Sequence, residues 1–218
     1  MVEIVMFEDV KKSILSGIMI AFGCSVYLSC VDKGLIWLGS FLFSAGLFTI
    51  CEYGFNLYTG KVGYIALRFK DLKYIRLVLL ILVFNLLTTF GLGILIGKNF
   101  EAIRNVALKV YSLKFQMPLW KLFLSGVLCG ILMYLAVDTW KRGSKIGCFI
   151  YVPVFILCGF DHSIANSFYN GVALGENTFT LQNLVIILVV VLGNAVGGML
   201  FPLLTRDWRE PQGWLIEW

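Results

Sequence analysis

The stretch GFDHSIANSFYNG, residues 159–171, lies inside a segment that otherwise has the composition of a membrane-spanning helix. It contains Asp161, two asparagines and His162, which is the only histidine of the chain. Because titratable groups are costly in hydrocarbon, a polar cluster at this depth indicates a functional site. The structural alternative is that Asp161 caps a helix start and that His162 is only packed in the protein interior.

Composition places this stretch in an integral membrane protein. Of the 218 residues, 59% are hydrophobic and 14% are charged, which departs strongly from soluble domains. We therefore interpret residues 1–218 as a single transmembrane domain in contact with the lipid bilayer. The net charge of +5 does not indicate nucleic-acid binding, because the basic residues form short clusters between apolar spans. Six scattered cysteines without CxxC spacing predict neither a disulfide framework nor a metal site, and no cofactor is expected.

The hydrophobic segments predict the fold class. A membrane-spanning helix needs about 20 mostly apolar residues. Six segments meet this requirement, at residues 13–31, 34–51, 74–97, 119–139, 146–171 and 181–205. The fifth is broken near Gly159, and the second is followed by a polar, glycine-bearing stretch at residues 52–60 and a further half-helix. The prediction is an all-α polytopic membrane protein with six transmembrane helices, of which the second and fifth are broken. The connection at residues 98–118 is expected to mix loop and short helix.

The distribution of lysine and arginine predicts the orientation of the chain. With the N-terminus in the cytoplasm, inside segments hold twelve basic residues, among them Arg206 and Arg209, and outside segments hold six. Both termini are therefore expected on the cytoplasmic side of a cell (inner) membrane.

Two pairs of matching positions indicate an internal repeat. Gly17 and Gly126, each preceded by serine, are 109 residues apart, as are Asn85 and Asn194, and this offset is half the chain length. Each half, approximately residues 1–109 and 110–218, holds three spans with a broken helix in the middle, so the second half is inverted relative to the first. Aquaporin-like inverted repeats with broken helices are typical of transport pathways rather than of membrane enzymes or scaffolds.

The spacing of the polar residues after Gly159 predicts a pore-facing surface. His162, Asn166 and Asn170 recur every four residues and share one helical face, which must face a pore or the bundle interior. Asp161 lies about 100° around the helix from His162. We interpret Asp161 as an N-cap or a helix-orienting group rather than as a pore charge.

A second polar group lies in the break after the second span. Thr59 carries a hydroxyl that can donate to an anion and accept from a histidine. From the loop alone, Thr59 is equally well explained as a turn threonine beside Gly60.

Three motifs resemble those of the formate/nitrite transporter family. FDHSIAN, residues 160–166, resembles the family signature, which usually has glutamate where this chain has Asp161. LYTG, residues 57–60, resembles the Leu-Phe-Thr-Gly loop of the family, and GNAVGG, residues 193–198, resembles its sixth-helix Gly-Asn-x-x-Gly-Gly run. The order and spacing of the three motifs cover nearly the whole chain.

The resemblance implies a homopentamer of aquaporin-like protomers, each with its own pore for small monovalent anions such as formate, nitrite or hydrosulfide. It implies that His162 is the central pore histidine, that Thr59 hydrogen-bonds it, and that Lys114 lends positive potential to the site. Asn194 matches the pore-region asparagine of the sixth helix. Gly130 stands where the family often has asparagine, which predicts looser packing or altered hydrogen bonding around the loop. The implied apolar constrictions are Leu47, Leu57 and Phe155 on the cytoplasmic side and Phe43 on the outer side.

These residues indicate a proton-coupled mechanism. A dry constriction flanked by aromatic rings rejects hydrated ions, whereas a neutral weak acid crosses at much lower cost. Lys114 is expected to draw an anion into the outer vestibule and to favour its protonation at or near His162, because histidine exchanges protons near neutral pH. The sequence therefore predicts a channel or transporter for small monovalent anions and protons, in which Asn166 supports His162 along the pore face.

Two other functions remain open from the residues. A membrane-embedded enzyme would use Asp161, His162 and Ser163, but adjacent helical residues point in different directions and cannot form a triad by themselves. No enzymatic activity is therefore predicted. A neutral-solute channel for water, urea or ammonia is the main alternative to an anion pore.

Overall fold

The computed structural model describes residues 2–205, with side chains from residue 6 onward. The expected inside position of Arg206 and Arg209 lies outside the described residues. Within this range the chain forms α1 (Val2–Asp32), α2 (Ile36–Glu52), α3 (Tyr58–Lys61), α4 (Leu72–Asn99), α5 (Glu101–Ser112), α6 (Leu119–Lys141), α7 (Ile146–Leu157), α8 (Ser163–Val172) and α9 (Leu181–Thr205). Two 3₁₀ turns follow α3 and α5, at Val62–Leu67 and Leu113–Gln116. Residues 2–205 contain no β-strand, in agreement with the predicted all-α class.

Among the described helices, α1, α4, α6 and α9 are long and apolar enough to cross a bilayer. α2 and α7 are apolar but only 17 and 12 residues long. α1 begins at Val2, well before the predicted start at residue 13. The difference arises because hydropathy detects only the apolar part of a helix, whereas the polar turns before it are supported by an ion pair between Glu8 and Lys11 at 2.8 Å.

The two shortest helices lie inside the bundle. α2 and α3 are separated by residues 53–57, and α7 and α8 by residues 158–162. α6 packs on α9, and α1 packs on α2. α8 packs mainly on α4 and also contacts α1, α5 and α9, and every residue of α8 is buried. The connection at residues 98–118 is mainly helical, since α5 and the second 3₁₀ turn fill most of it.

The start of α4 is set by a polar cap outside the apolar segments. Asp71 accepts the Tyr74 backbone N–H through Oδ1 at 3.0 Å and the Arg68 Nη2 through Oδ2 at 2.6 Å. These two contacts hold the pKa of Asp71 below its ordinary value. The carboxylate therefore stays ionised at a helix N-terminus, where a negative charge is favourable.

Small residues bring α6 and α9 into close backbone contact. A Cβ atom at Gly130 would overlap the carbonyl oxygen of Asn194, and one at Gly197 would overlap the carbonyl oxygen of Val127. The expectation that Gly130 loosens the packing is therefore wrong, because the absence of a side chain lets the two backbones approach. The sequence signal was available, since Gly126 and Gly130, like the facing glycines of α9, are four residues apart, the spacing of close helix contacts in membranes.

Candidate functional site

His162 ends the irregular segment between α7 and α8. Its backbone is extended, with φ −94° and ψ 114°, and α8 begins at the next residue, Ser163. The His162 Nδ1 accepts the backbone N–H of Ala165 at 3.2 Å, which makes His162 the N-cap of α8. The interpretation of Asp161 as the N-cap is therefore wrong, because the helix starts one residue later than a cap at Asp161 requires.

The cap determines which ring nitrogen of His162 carries a hydrogen. A backbone N–H can only donate, so Nδ1 acts as an acceptor and the neutral imidazole has its hydrogen on Nε2. Nε2 lies 2.8 Å from the Thr59 Oγ1, in the hydrogen bond that the family resemblance implied. With Nε2 donating, the Thr59 hydroxyl keeps its own hydrogen for a further acceptor.

Asp161 is held by three side chains from different parts of the fold. Its carboxylate forms an ion pair with the Lys114 ammonium and accepts the Ser125 hydroxyl at 2.7 Å and the Asn166 amide at 2.9 Å. The side chain of Asp161 is 1% exposed and that of Lys114 is 11% exposed. These bonds fit the other interpretation of Asp161, as a helix-orienting group. Ser125 connects the start of α8 to α6, and Lys114 connects it to the 3₁₀ turn at Leu113–Gln116.

Two cavities lie near the Thr59–His162 bond, one lined by His162 and the other by Leu57 and Gly60, which flank the Tyr58–Thr59 pair. The first, which we call the Lys114 cavity, has a volume of about 100 Å³, and its lining includes Lys114, Asp161, His162 and Asn166. The second, the Lys61 cavity, has a volume of about 30 Å³, and its lining includes Leu57, Lys61 and Lys141. The Lys114 cavity thus combines a lysine with His162, and the Lys61 cavity combines a lysine with Gly60, which follows Thr59.

Aromatic rings form one wall of the Lys114 cavity. The Phe155 ring stacks on the His162 imidazole at a centroid distance of 5.8 Å and meets the Phe43 ring edge-on at 6.3 Å. Phe43, Leu47, Leu57 and Phe155 are each at most 2% exposed. Phe155 therefore lies beside both Phe43 and His162, because α7 ends next to His162 and so brings its last turn to the Lys114 cavity.

Asn194 lies behind the backbone at His162 and does not line the Lys114 cavity. Its Nδ2 donates to the carbonyl oxygens of Gly126 and Asp161, both at 2.8 Å, and its Oδ1 accepts the Ser163 N–H at 2.8 Å. The side chain is completely buried. Asn194 thus fixes the peptide groups on both sides of His162.

Asn85 holds the other irregular segment in the same way, and the sequence had not suggested it as a site residue. Its Nδ2 donates to the carbonyl oxygens of Ser13 and Asn56 at 2.8 and 3.1 Å, and its Oδ1 accepts the Tyr58 N–H at 2.9 Å. These bonds bracket Leu57 as those of Asn194 bracket His162. The sequence signal for this role is the shared offset of Asn85 and Asn194, which also indicates the internal repeat.

The polar face predicted for α8 is divided between two environments. Asn166 faces Asp161 and the Lys114 cavity, whereas the Asn170 Oδ1 accepts the Asn183 amide at 3.2 Å. Asn183 in turn accepts the Tyr111 hydroxyl at 2.7 Å. Asn170 therefore joins α8 to α9 directly and to α5 through Asn183. His162 precedes α8, so it does not share the regular four-residue spacing of Asn166 and Asn170.

Replacing Lys114 by methionine is expected to destabilise the protein by about 3–5 kcal/mol, because the buried Asp161 carboxylate loses its ammonium partner. Unfolding of the purified protein in detergent measures this change. The double variant Lys114→Met/Asp161→Asn is the control and should regain most of the loss, since a neutral amide needs no cation. Equal destabilisation of the single and double variants would show that Lys114 does not act through Asp161.

The chain is similar to known transporter proteins. The sequence profile of the family described as "Formate/nitrite transporter" matches residues 6–207 of the chain. The uncharacterized transporter YwcJ of Bacillus subtilis (strain 168) is 29% identical, over 87% of this chain and 84% of that protein. A probable formate transporter of Methanothermobacter thermautotrophicus is 28% identical, with coverage of 87% and 84%.

Solved structures share the fold. A pentameric formate channel with formate bound superposes with a TM-score of 0.77 at 22% identity, over 92% of this chain and 96% of that one. An FNT family ion channel superposes with a TM-score of 0.75, also at 22% identity, over 89% and 87% of the two chains. At this identity the likeness establishes the fold alone.

Proposed function

Since the chain belongs to the formate/nitrite transporter family, we propose that it carries small monovalent anions of weak acids, such as formate, nitrite or hydrosulfide, across the membrane. The observation that carries this proposal is the hydrogen bond between Thr59 and His162, which joins α3 to the irregular segment before α8 near two lysine-bearing cavities. The family and the structures of the same fold are transporters and channels, which fits a membrane transporter without enzymatic activity.

The proposed architecture has six spans in a single transmembrane domain. α2 with α3, and α7 with α8, are the broken second and fifth spans, and the inverted repeats comprise residues 1–109 and 110–218. The matching bonds of Asn85 and Asn194 support this division, since each asparagine holds one break through a carbonyl and the N–H two residues later. Leu57 and His162 are then equivalent positions, one apolar and one polar.

The proposed orientation follows from the basic residues. The Lys61 cavity, with Lys61 and Lys141, faces the cytoplasm, and the Lys114 cavity faces outward in a cell (inner) membrane with both termini in the cytoplasm. Homopentamer formation is part of the proposal and is supported by the pentameric channel of the same fold.

In the proposed mechanism, an anion is drawn into the Lys114 cavity by the Lys114 ammonium. The negative charge of Asp161 offsets that ammonium, so the anion is attracted without being held tightly. The Thr59 hydroxyl, oriented by the His162 Nε2–H, donates to the anion. The anion takes up a proton at or near His162 and passes Leu47 and Leu57 as a neutral acid, because an uncharged molecule loses little hydration energy at an apolar constriction.

Uptake into proteoliposomes tests this proposal with formate, nitrite and hydrosulfide at two external pH values. We expect uptake to rise as the external pH falls, accompanied by proton entry. The matched variant Thr59→Val keeps the shape of the side chain but removes the hydroxyl, and it should lower uptake about tenfold or more, since a hydrogen bond to a charged group contributes about 1.5–3 kcal/mol. Permeation of water, urea or ammonia without pH dependence, and without anion uptake, would instead establish the neutral-solute channel.

A further inference from the structure

The Lys61 cavity combines two lysines with an apolar wall. Lys61 and Lys141 both contribute to its lining, together with apolar residues that include Leu57 and Trp140. The two lysines come from separate parts of the fold, since Lys61 ends α3 and Lys141 ends α6. We propose that this cavity is a second anion-binding site, at which the Lys61 and Lys141 ammonium groups bind a small monovalent anion such as formate or nitrite.

The Tyr64 ring positions Lys141. The Lys141 Nζ lies 3.7 Å from the centroid of the Tyr64 ring, which is a cation–π contact. The ring carries no net charge, so this contact places the ammonium without cancelling its charge. Tyr64 belongs to the 3₁₀ turn at Val62–Leu67, and its ring meets that of Tyr134 on α6 at a centroid distance of 5.4 Å. The ammonium is thus held where the segment after α3 contacts α6.

Asp138 fixes the Tyr64 ring in turn. Its Oδ1 accepts the Tyr134 hydroxyl at 3.2 Å and the Tyr64 hydroxyl at 3.5 Å, and its Oδ2 accepts the Arg142 Nε at 2.7 Å. Asp138 is 9% exposed, so its carboxylate is a buried anchor for these groups. The bonds of Asp138 therefore orient the ring on which the Lys141 ammonium lies.

The backbone of Lys61 is held independently of its side chain. The Tyr74 hydroxyl donates to the Lys61 carbonyl oxygen at 2.8 Å, and Tyr74 is buried. The Arg68 guanidinium lies 4.2 Å from the centroid of the Tyr74 ring and covers it. A substitution that shortens or neutralises the Lys61 side chain leaves the Tyr74 bond in place, so it can test the contribution of the ammonium.

The size and polarity of the cavity match a small anion. Its volume of about 30 Å³ holds roughly two water molecules, since each needs about 10–15 Å³. An ion of the size of formate or nitrite can displace these waters. The apolar wall reduces the local dielectric constant, which strengthens the attraction between an ammonium group and an anion.

The site lies directly beyond the apolar constriction that the family resemblance implied, because Leu57 belongs to both. An acid that passes Leu57 in neutral form enters a cavity with two ammonium groups, and nearby positive charge favours the ionised form of an acid. The site would therefore hold the anion that forms when the acid gives up its proton on the proposed cytoplasmic side. This role in transport rests on the proposed function, whereas binding of an anion to the cavity does not.

Uptake kinetics from each face of the membrane test the role in transport. Formate uptake is measured in right-side-out and inside-out membrane vesicles from cells that produce the full-length protein and have no other formate transporter. Wild type is compared with Lys141→Met, with Lys61→Met and with Lys141→Arg, which keeps the charge. The matched control is Lys145→Met. Lys145 pairs with Glu52 at 2.8 Å, and its ammonium lies 5.1 Å from the Trp140 ring but outside the lining of the cavity.

We expect Lys141→Met and Lys61→Met to raise the KM for formate about tenfold at the cytoplasmic face only, because each removes a hydrogen bond to a charged group. The KM at the outer face should remain that of wild type, since the Lys114 cavity is unaltered. Lys141→Arg and Lys145→Met should resemble wild type at both faces. An unchanged KM at the cytoplasmic face in both methionine variants, or an equal rise at the two faces, would overturn the role of the site in transport.

A second measurement follows binding without transport. Trp140 lines the cavity, and nitrite quenches tryptophan fluorescence on contact. Purified wild type, Lys141→Met and Lys145→Met are titrated with nitrite in detergent, and each is compared with its Trp140→Phe counterpart to isolate the Trp140 signal. Quenching of Trp140 should saturate, and Lys141→Met should raise the nitrite concentration for half-saturation about tenfold, whereas Lys145→Met should not change it.

The two measurements separate the site from the proposed function. Quenching of Trp140 that stays linear in nitrite concentration, or that saturates equally in wild type and Lys141→Met, would overturn the anion site. Saturable quenching in a wild-type protein that shows no anion uptake from either face would overturn the proposed function and would still support the site.

Discussion

Substitution of His162 by phenylalanine is expected to lower anion uptake by about 100-fold or more, which corresponds to about 3 kcal/mol in the transport barrier. Phenylalanine keeps an aromatic ring beside Phe155 but loses both ring nitrogens. The Thr59 hydroxyl then no longer receives the hydrogen of Nε2 and is free to rotate away from the anion. The site also loses the group at or near which the anion is proposed to take up a proton, so the pH dependence of uptake should disappear with the uptake itself.

The loss of the helix cap must be separated from the loss of transport. Phenylalanine cannot accept the Ala165 N–H, and loss of a cap costs about 1 kcal/mol of stability. His162→Asn is the matched control, because asparagine is a good N-cap but has no ring to contact Phe155 or Thr59. Both variants should lose uptake, whereas only the phenylalanine variant should lose stability. Full uptake by His162→Phe in proteoliposomes would refute the role proposed for this residue.

Substitution of Gly130 by alanine is expected to destabilise the protein by about 3 kcal/mol or more, the upper range of overpacking effects. The added methyl group would overlap the carbonyl oxygen of Asn194 and approach the N–H of Gly198, and both are backbone atoms that cannot rotate away. α6 and α9 would have to separate. The shift would also disturb Asn194, whose side chain positions the peptide groups around His162.

Gly91→Ala is the matched control for this prediction. Gly91 also lies inside a long helix, but a Cβ atom there would meet nothing within 4 Å. Alanine should therefore be neutral or stabilise α4 by about 0.5–1 kcal/mol, the usual preference for alanine in helices. Thermal unfolding in detergent compares the two variants. Equal midpoints for Gly130→Ala and Gly91→Ala would contradict the close packing of α6 against α9.

The membrane class, the long helices and the chemical types of several candidate site residues could be predicted from the sequence. Hydropathy and composition identified the apolar helices, since crossing a bilayer requires a length of apolar residues that can be counted along the chain. His162, Asp161 and Asn166 stood out because polar groups are rare inside such segments. Thr59 gained significance only through the family resemblance, because a single threonine beside a glycine has several ordinary explanations.

The roles of these residues could not be predicted from local pattern. The N-cap is the residue just before the first helical residue, so a helix that begins at Ser163 is capped by His162 and not by Asp161. Lys114 and Asp161 are 47 positions apart, and no periodicity relates them. The expected loosening at Gly130 was wrong for the same reason, since the atom that a side chain would meet belongs to another helix.

By itself the sequence determined that this protein lies in a membrane, that a few polar residues lie within its apolar segments, and that the one histidine is among them. These are properties of residue type and spacing along one chain. Only the tertiary structure decided that Thr59 reaches His162, that Lys114 pairs with Asp161, and that Asn85 and Asn194 hold the two irregular segments. The physical reason is that a hydrogen bond or an ion pair depends on distance and direction in space, and those are set only when separate helices pack together.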